Sequence, residues 1–151
     1  MSVDGSVVGR RFAPHTVEVE RGRLRFFAQA TGQSDPAYTD VEAARAAGHP
    51  DLPVPPTFLF CLEMERPDPW DFVAELGVDL RTILHGGQSF DYHAMAYAGD
   101  PLTFASAITD VYHKKNGALT FVERTTDVTR NGDPVARLAA TVVLRRVEES
   151  A

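Results

Sequence analysis

The segment ATGQSDPAYTD, residues 30–40, holds the side chains whose types and spacing come nearest to a proton-transfer site. Moving a proton to and from a substrate needs one group that accepts and another that delivers, both within hydrogen-bond reach. Gln33 cannot titrate. Tyr38, with a tyrosine's ordinary pKa of about 10, is a poor base at neutral pH unless its surroundings lower that value strongly. Asp35 is the only carboxylate in GQSDPAY, and it has a plainer role as an Asx-turn residue before Pro36. Tyr38 likewise has a plain role as an apolar staple beside a helix cap. Outside this loop, His85 is the main candidate: LHGGQ sets it beside Gly86 and Gly87, which let a backbone or a ligand approach closely. A lone strand histidine is, however, more often a surface or core residue. His49, in GHPDLP, reaches the start of the following apolar segment or caps a helix end. His15 and His113 fall near a strand start and a turn and rank lower. The single cysteine, Cys61, permits no internal disulfide, and no metal site or cofactor is implied.

The elements that must position these groups follow from periodicity and turn chemistry. The chain has 151 residues, 44% of them hydrophobic, enough for one domain, 1–151, with a real core. Its first half reads helical and its second half as strands, which predicts an α+β domain. TVEV at 16–19 is a short strand, and RGRLRFFAQAT forms a helix with Leu24, Phe27 and Ala28 on one face and Gly32 as its stop. TDVE at 39–42 predicts a capping box in which Thr39 and Glu42 cap each other, opening a helix that Gly48 closes. VPPTFLFCLEMERP at 54–67 predicts a central helix buried on most sides, and DPWDFVAELG at 68–77 a shorter one capped by Asp68. A strand around 82–97, a turn at AGDP and three further strands complete an antiparallel meander. Asn116-Gly117 and Asn131-Gly132 supply type I′ turns, and Ala136, Leu138, Ala140, Val142 and Leu144 line one face of the last strand.

A formal charge of −6 and a pI near 5.3 argue against nucleic-acid binding through a general basic field. RGRLR at 21–25 and HKK at 113–115 are the two clusters able to meet the phosphates of coenzyme A or an acidic carrier protein. Their plainer reading is a solvated helix face and a hairpin tip. MSVDGSVVGRRF lacks a signal peptide's apolar run and FLFCLEM is too short to span a bilayer, so a soluble, cytoplasmic protein without a membrane partner is expected.

Taken together and in order, FAQATGQSDPAYTD at 27–40, AARAAGHPDLPVPPTF at 43–58 and ILHGGQSFDYHAMAYAGDPLTF at 83–104, with the closing hairpins, resemble a known family. It is the MaoC-like hot-dog (R)-hydratase/dehydratase superfamily, and within it the N-terminal-type, FAS1-like dehydratase branch. The resemblance implies a hot-dog fold, an antiparallel sheet wrapped around a central apolar helix. It also implies an acyl-CoA or acyl-carrier-protein thioester as ligand. Catalytic members carry a Gly-Asp-x-Asn-Pro-x-His loop; laid on GQSDPAY, it puts Gln33 at the Asp position, Asp35 at the Asn, Pro36 at the Pro and Tyr38 at the His. Both acid/base groups are therefore replaced. What the resemblance then implies is a partner hot-dog subunit that supplies the Asp/His pair, while this chain completes the sheet and shapes the acyl pocket. In that reading Gln33, His49, Pro56, Thr57, Phe58, Gly86 and Gly87 contact substrate. Phe60 and Leu62 either join Phe58 in lining the pocket or pack the core, and backbone NH groups near Pro56 and Thr57 polarise the thioester carbonyl. Other readings stay open: a self-sufficient homodimer using His85, Asp35 or Tyr38 as catalytic groups, a non-enzymatic acyl-thioester-binding protein, or a thioesterase. An uncovered sheet edge predicts at least a dimer.

Overall fold

The computed structural model describes residues 3–146. In chain order the strands and helices are β1 (His15–Glu18), α1 (Arg21–Ala30), α2 (Val41–Ala46), α3 (Phe58–Glu63), α4 (Asp71–Glu75), β2 (Ile83–Tyr92), β3 (Pro101–Lys114), β4 (Leu119–Arg130) and β5 (Asp133–Arg145). The five strands form one antiparallel sheet in the order β1-β3-β4-β5-β2, so β1 and β2 are its edges. Register shifts at His85/Gly87, Ile108/Asp110 and Val128/Thr129 mark bulges that bend the long strands. Phe58, Leu59 and Leu62 of α3 pack on Phe104, Val128 and Leu138 of the three central strands. This is the α+β hot-dog arrangement the sequence implies.

The local chemistry explains most element limits. Leu24 and Ala28 are buried and Phe27 packs against the core from the same face of α1. Gly32 follows with φ +71°. The expected capping box at 39–42 is not formed. Asp40 caps α2 by accepting from Ala43 N at 2.8 Å, Thr39 N donates to the Pro36 carbonyl, and Glu42 pairs with Arg45. Thr39 and Asp40 both suit a cap, and the turn ending at Tyr38 engages the Thr39 amide first. The central helix is also shorter than predicted, six residues, because the prolines at 55 and 56 lead into Thr57 without joining the helix. Asp68 bonds Trp70 N, but the helix proper begins at Asp71. Asn131 and Gly132, at φ 51° and 91°, make the expected two-residue turn. At Asn116-Gly117 the turn also has positive φ, but Lys115 joins it at φ 51° and the ladder ends at Lys114↔Leu119, lengthening the connection.

The core is divided in two. One apolar cluster centres on α3, and the other collects Phe12, Phe72, Ile108, Val122 and Val142. Glu63, the last residue of α3, is buried with Arg124, Ser106 and Thr126. Its Oε1 accepts from Thr126 Oγ1 (2.5 Å) and Ser106 Oγ (3.4 Å) and lies 3.1 Å from Arg124 Nη2. The Arg124 guanidinium sits 4.9 Å over the Phe72 ring.

Candidate functional site

The loop after α1 is built from backbone devices. Gln33 N reaches back to the Ala28 carbonyl at 2.8 Å, closing the helix. The Gln33 side chain then accepts from Asp35 N at 3.0 Å, and the Asp35 carboxylate accepts from Ala37 N at 2.9 Å, opening the 3-10 turn Pro36–Tyr38. Arg25 pins the far end by donating to the Thr39 carbonyl at 2.8 Å. Gln33 and Asp35 are thus exposed and turned to the loop's own amides, whereas Tyr38 is half-buried in the wall of a cavity.

That cavity is about 420 Å³. Tyr38 forms one side, Val54 and Pro56 from the approach to α3 another, Leu59 and Val135 the interior, and the segment 92–96 the remainder. The segment leaves the sheet after β2 and is held firmly. His93 N and Ala94 N both donate to the Val135 carbonyl, at 2.9 and 3.1 Å, and Val54 N donates to Ala96 O at 2.9 Å. Arg130 donates to the Met95 carbonyl at 3.1 Å while pairing with Asp100 at 2.6 Å. The polar side chains in the lining are Tyr38, Tyr92 and His93; no carboxylate is among them. Burial pushes the Tyr92 phenol up to about 12, so it stays protonated and can donate but not act as a base.

Of the residues singled out from sequence, Tyr38 and Pro56 meet at this cavity; the others stand outside its lining. His85 is exposed on β2, its ring parallel to Phe60 with centroids 5.4 Å apart. Gly86 sits in the bulge, where an added Cβ would come 2.7 Å from Val143 Cγ2; at Gly87 the nearest atom would be 3.7 Å away. Gly86 therefore answers to strand packing. His49 Nδ1 lies 3.4 Å from Tyr97 Oη, tying the 49–53 segment to the chain beyond the cavity. Phe58 is a core residue tilted against Phe27 at 4.9 Å, and Leu62 is equally buried. The helix start expected to polarise a carbonyl is short and partly engaged, since Phe58 N donates to Pro55 O and Phe60 N to Thr57 O. Of His85, Asp35 and Tyr38, Tyr38 alone lines the cavity, so the three do not come together there.

The residue missed from sequence is His93, the cavity's histidine. A strand drawn over 82–97 hid it. Length alone could not have shown the break, since β3, β4 and β5 run 14, 12 and 13 residues. The basic cluster at 21–25 is also committed internally. Arg21 pairs with Asp51 through two bonds of 2.9 and 2.5 Å, holding that carboxyl down at about 2, and Arg23 pairs with Glu65 at 2.6 Å. At 113–115, Lys114 lies 4.8 Å over Phe121 and His113 bonds Thr120. Among the described residues no helix is long and apolar enough to cross a membrane, and no group of three or more His, Cys, Asp or Glu could hold a metal.

A sheet packed on a short apolar helix, with a Gly-x-x-x-Pro-x-Tyr loop walling a cavity at the helix start, defines a MaoC-like hot-dog protein. Residues 6–138 match the FAS1-like, dehydratase domain region, and the chain belongs to that family. It is 44% identical over 109 residues to a UPF0336 protein of Streptomyces coelicolor, covering 72% of this chain and 73% of that one. In structure it is similar to the C-terminally truncated HadBC (3R-hydroxyacyl-ACP dehydratase) complex of Mycobacterium tuberculosis. There the TM-score is 0.76 at 25% identity, over 93% of this chain and 99% of that chain. A MaoC-like dehydratase gives 0.80 at 25% identity over 94% of this chain but 43% of its own, so that protein is more than twice as long as the part matched.

Proposed function

We propose that this chain is the acyl-binding subunit of an (R)-specific enoyl-thioester hydratase or 3-hydroxyacyl-thioester dehydratase, acting on acyl-CoA or acyl-carrier protein, with the Asp/His pair supplied by a second hot-dog subunit. The observation that carries it is Tyr38. The loop walls an apolar cavity through Tyr38, while the positions that the resemblance gives to the proton-exchanging pair hold a glutamine turned to its own loop and this tyrosine. The cavity suits an acyl chain, being walled mostly by Val54, Pro56, Leu59, Met95 and Val135. The partner is suggested by the HadBC complex and by the edge strand β2, whose Leu84 and Tyr92 are 46% and 47% exposed. Exposed apolar side chains on a free edge are a ready surface for another hot-dog subunit or a second copy of this chain.

One observation favours a second reading. His93 shares the cavity with Tyr38, so a homodimer could use this pair for its own proton transfer. Loss of enoyl-thioester absorbance, followed over a range of pH, separates the two. This chain alone, a hot-dog partner with an intact Gly-Asp-x-Asn-Pro-x-His loop alone, and the mixture would be compared. Negligible turnover by this chain and strong turnover by the mixture is the expected result. Robust turnover by this chain alone, lost in His93→Ala, overturns the subunit reading in favour of the homodimer.

A further inference from the structure

Leu59 stands in the cavity wall, and four residues further on the same face of α3 stands Glu63, 3% exposed. Val135 stands in the same wall, and three residues along β5 Leu138 pairs with Thr126, which bonds Glu63. Two separate paths therefore lead from the cavity to the same polar group, about 6 Å along the helix and about 10 Å along the strand. Leu62 and Val128 belong to the same apolar cluster as Leu59 and Val135. An acyl chain running on from the cavity between α3 and the sheet would slide past these and then meet a desolvated ion pair. That pair cannot step aside cheaply. Glu63 is held by Thr126, Ser106 and Arg124, and Phe72 covers the guanidinium at 4.9 Å. Parting the two charges would leave each of them buried and uncompensated.

We propose, on the basis of the acyl-site reading above, that Glu63 and Arg124, with Ser106 and Thr126, form a chain-length stop that restricts this site to short and medium acyl thioesters. The arrangement has the features a stop requires: it is buried, and it ties α3 to β3 and β4 one helical turn beyond the cavity-lining Leu59. Its polarity also matters, since a methyl terminus pressed against a charged pair gains none of the burial that favours it elsewhere in the cavity.

Calorimetric titration of the full-length protein with butyryl-, hexanoyl-, octanoyl-, dodecanoyl- and palmitoyl-CoA, with coenzyme A as control, tests the proposal. Affinity should rise up to about fourfold per added methylene while the chain remains in the apolar lining, then stop rising and fall at least tenfold by the longest chain. Glu63→Leu combined with Arg124→Met removes both charges together and should extend the rise to dodecanoyl- or palmitoyl-CoA. A wild-type profile that climbs steadily to palmitoyl-CoA leaves the acyl site standing and overturns the stop. A folded double variant with an unchanged cut-off overturns it too. No binding at any length overturns the acyl-site reading itself and the stop with it.

Discussion

Replacing Glu63 by leucine removes the carboxylate paired with a guanidinium that is only 6% exposed. Arg124 Nε already lacks a hydrogen-bond partner, so the variant would leave that group supported by little more than the Phe72 ring. Breaking one side of a buried pair costs about 3–5 kcal/mol, whereas replacing both sides with apolar groups of similar volume is often neutral or stabilising. Glu63→Leu should therefore consume a large share of the roughly 5–15 kcal/mol that holds a domain of this size together. Its melting temperature should fall by roughly 6–20 °C, at 2–4 °C per kcal/mol. Glu63→Leu/Arg124→Met should recover most of that loss. Ser106 and Thr126 would not be stranded, because they bond each other at 2.8 Å. Urea unfolding at fixed protein concentration gives the comparison directly, through the midpoint at constant slope. A single variant that costs less than about 1 kcal/mol, or a double variant as unstable as the single, would refute the argument that the charges stabilise chiefly by compensating each other.

Gly86→Ala should destabilise by about 1–3 kcal/mol, as overpacking does, because its Cβ would meet Val143 Cγ2 at 2.7 Å and the Thr141 carbonyl at 3.2 Å. Gly87→Ala, with nothing nearer than 3.7 Å, should cost much less; equal costs in thermal unfolding would remove packing as the reason for Gly86. Asp35→Ala should cost about 1 kcal/mol through loss of the Ala37 N bond, whereas Asp35→Asn keeps an acceptor there and should leave both stability and turnover of the assembled enzyme nearly unchanged. A large loss of turnover in Asp35→Asn would restore Asp35 as a proton-transfer group. His15 stacks on Phe104 at 5.3 Å, and burial lowers its pKa, opposed by the Leu62 carbonyl, with Arg66, Glu63 and Asp71 as the neighbouring charges. The unfolded chain thus takes up the His15 proton first, so this contribution is complete above the unfolded pKa of about 6.5 and is lost as pH falls towards the lower folded value. His15→Phe should flatten the decline in melting temperature between pH 7.5 and 5.5, and an unchanged slope would count against it.

Much of the architecture was legible because it depends on local rules with strong signals. The apolar face of α1, the glycine stops at 32 and 48 and the Asn131-Gly132 turn appear where periodicity and turn chemistry put them; the expected face of β5 is buried, but Val135 and Val143 are buried as well, so its burial is not one-sided. The errors occur where two local solutions compete. Thr39 and Asp40 are both good caps, and the 3-10 turn at Pro36–Tyr38 decides between them by using the Thr39 amide. At 54–67 an apolar run gives no information about where helical hydrogen bonding begins, and only six residues adopt it. The buried Glu63–Arg124 pair had no sequence signal, because residues distant in the chain, on α3 and β4, become partners only once the sheet packs over the helix.

The site was legible to a different degree. The positions that set the loop's shape are Gly32, with its positive φ, Asp35, whose carboxylate caps the turn, Pro36 in its first residue, and buried Ala37 beneath it. None of these is a position that would exchange protons in a hydratase. The Tyr38 side chain makes no bond that sets the loop, whereas the Gln33 side chain does by accepting from Asp35 N at 3.0 Å, so a resemblance carried by the loop reports its shape and leaves its chemistry open. Shape also determines what Tyr38 can do. Its ring belongs to the wall of a cavity whose histidine, His93, comes from a separate segment anchored through the Val135 carbonyl. Proton chemistry at this cavity within this chain would pair Tyr38 with His93 of that segment, whereas under the partner reading Tyr38 is a wall residue. The same side chain therefore reports on both readings. Tyr38→Phe should leave partner-dependent turnover largely intact, whereas a homodimer using the phenol should lose about a hundredfold or more, the contribution of a positioned acid/base group.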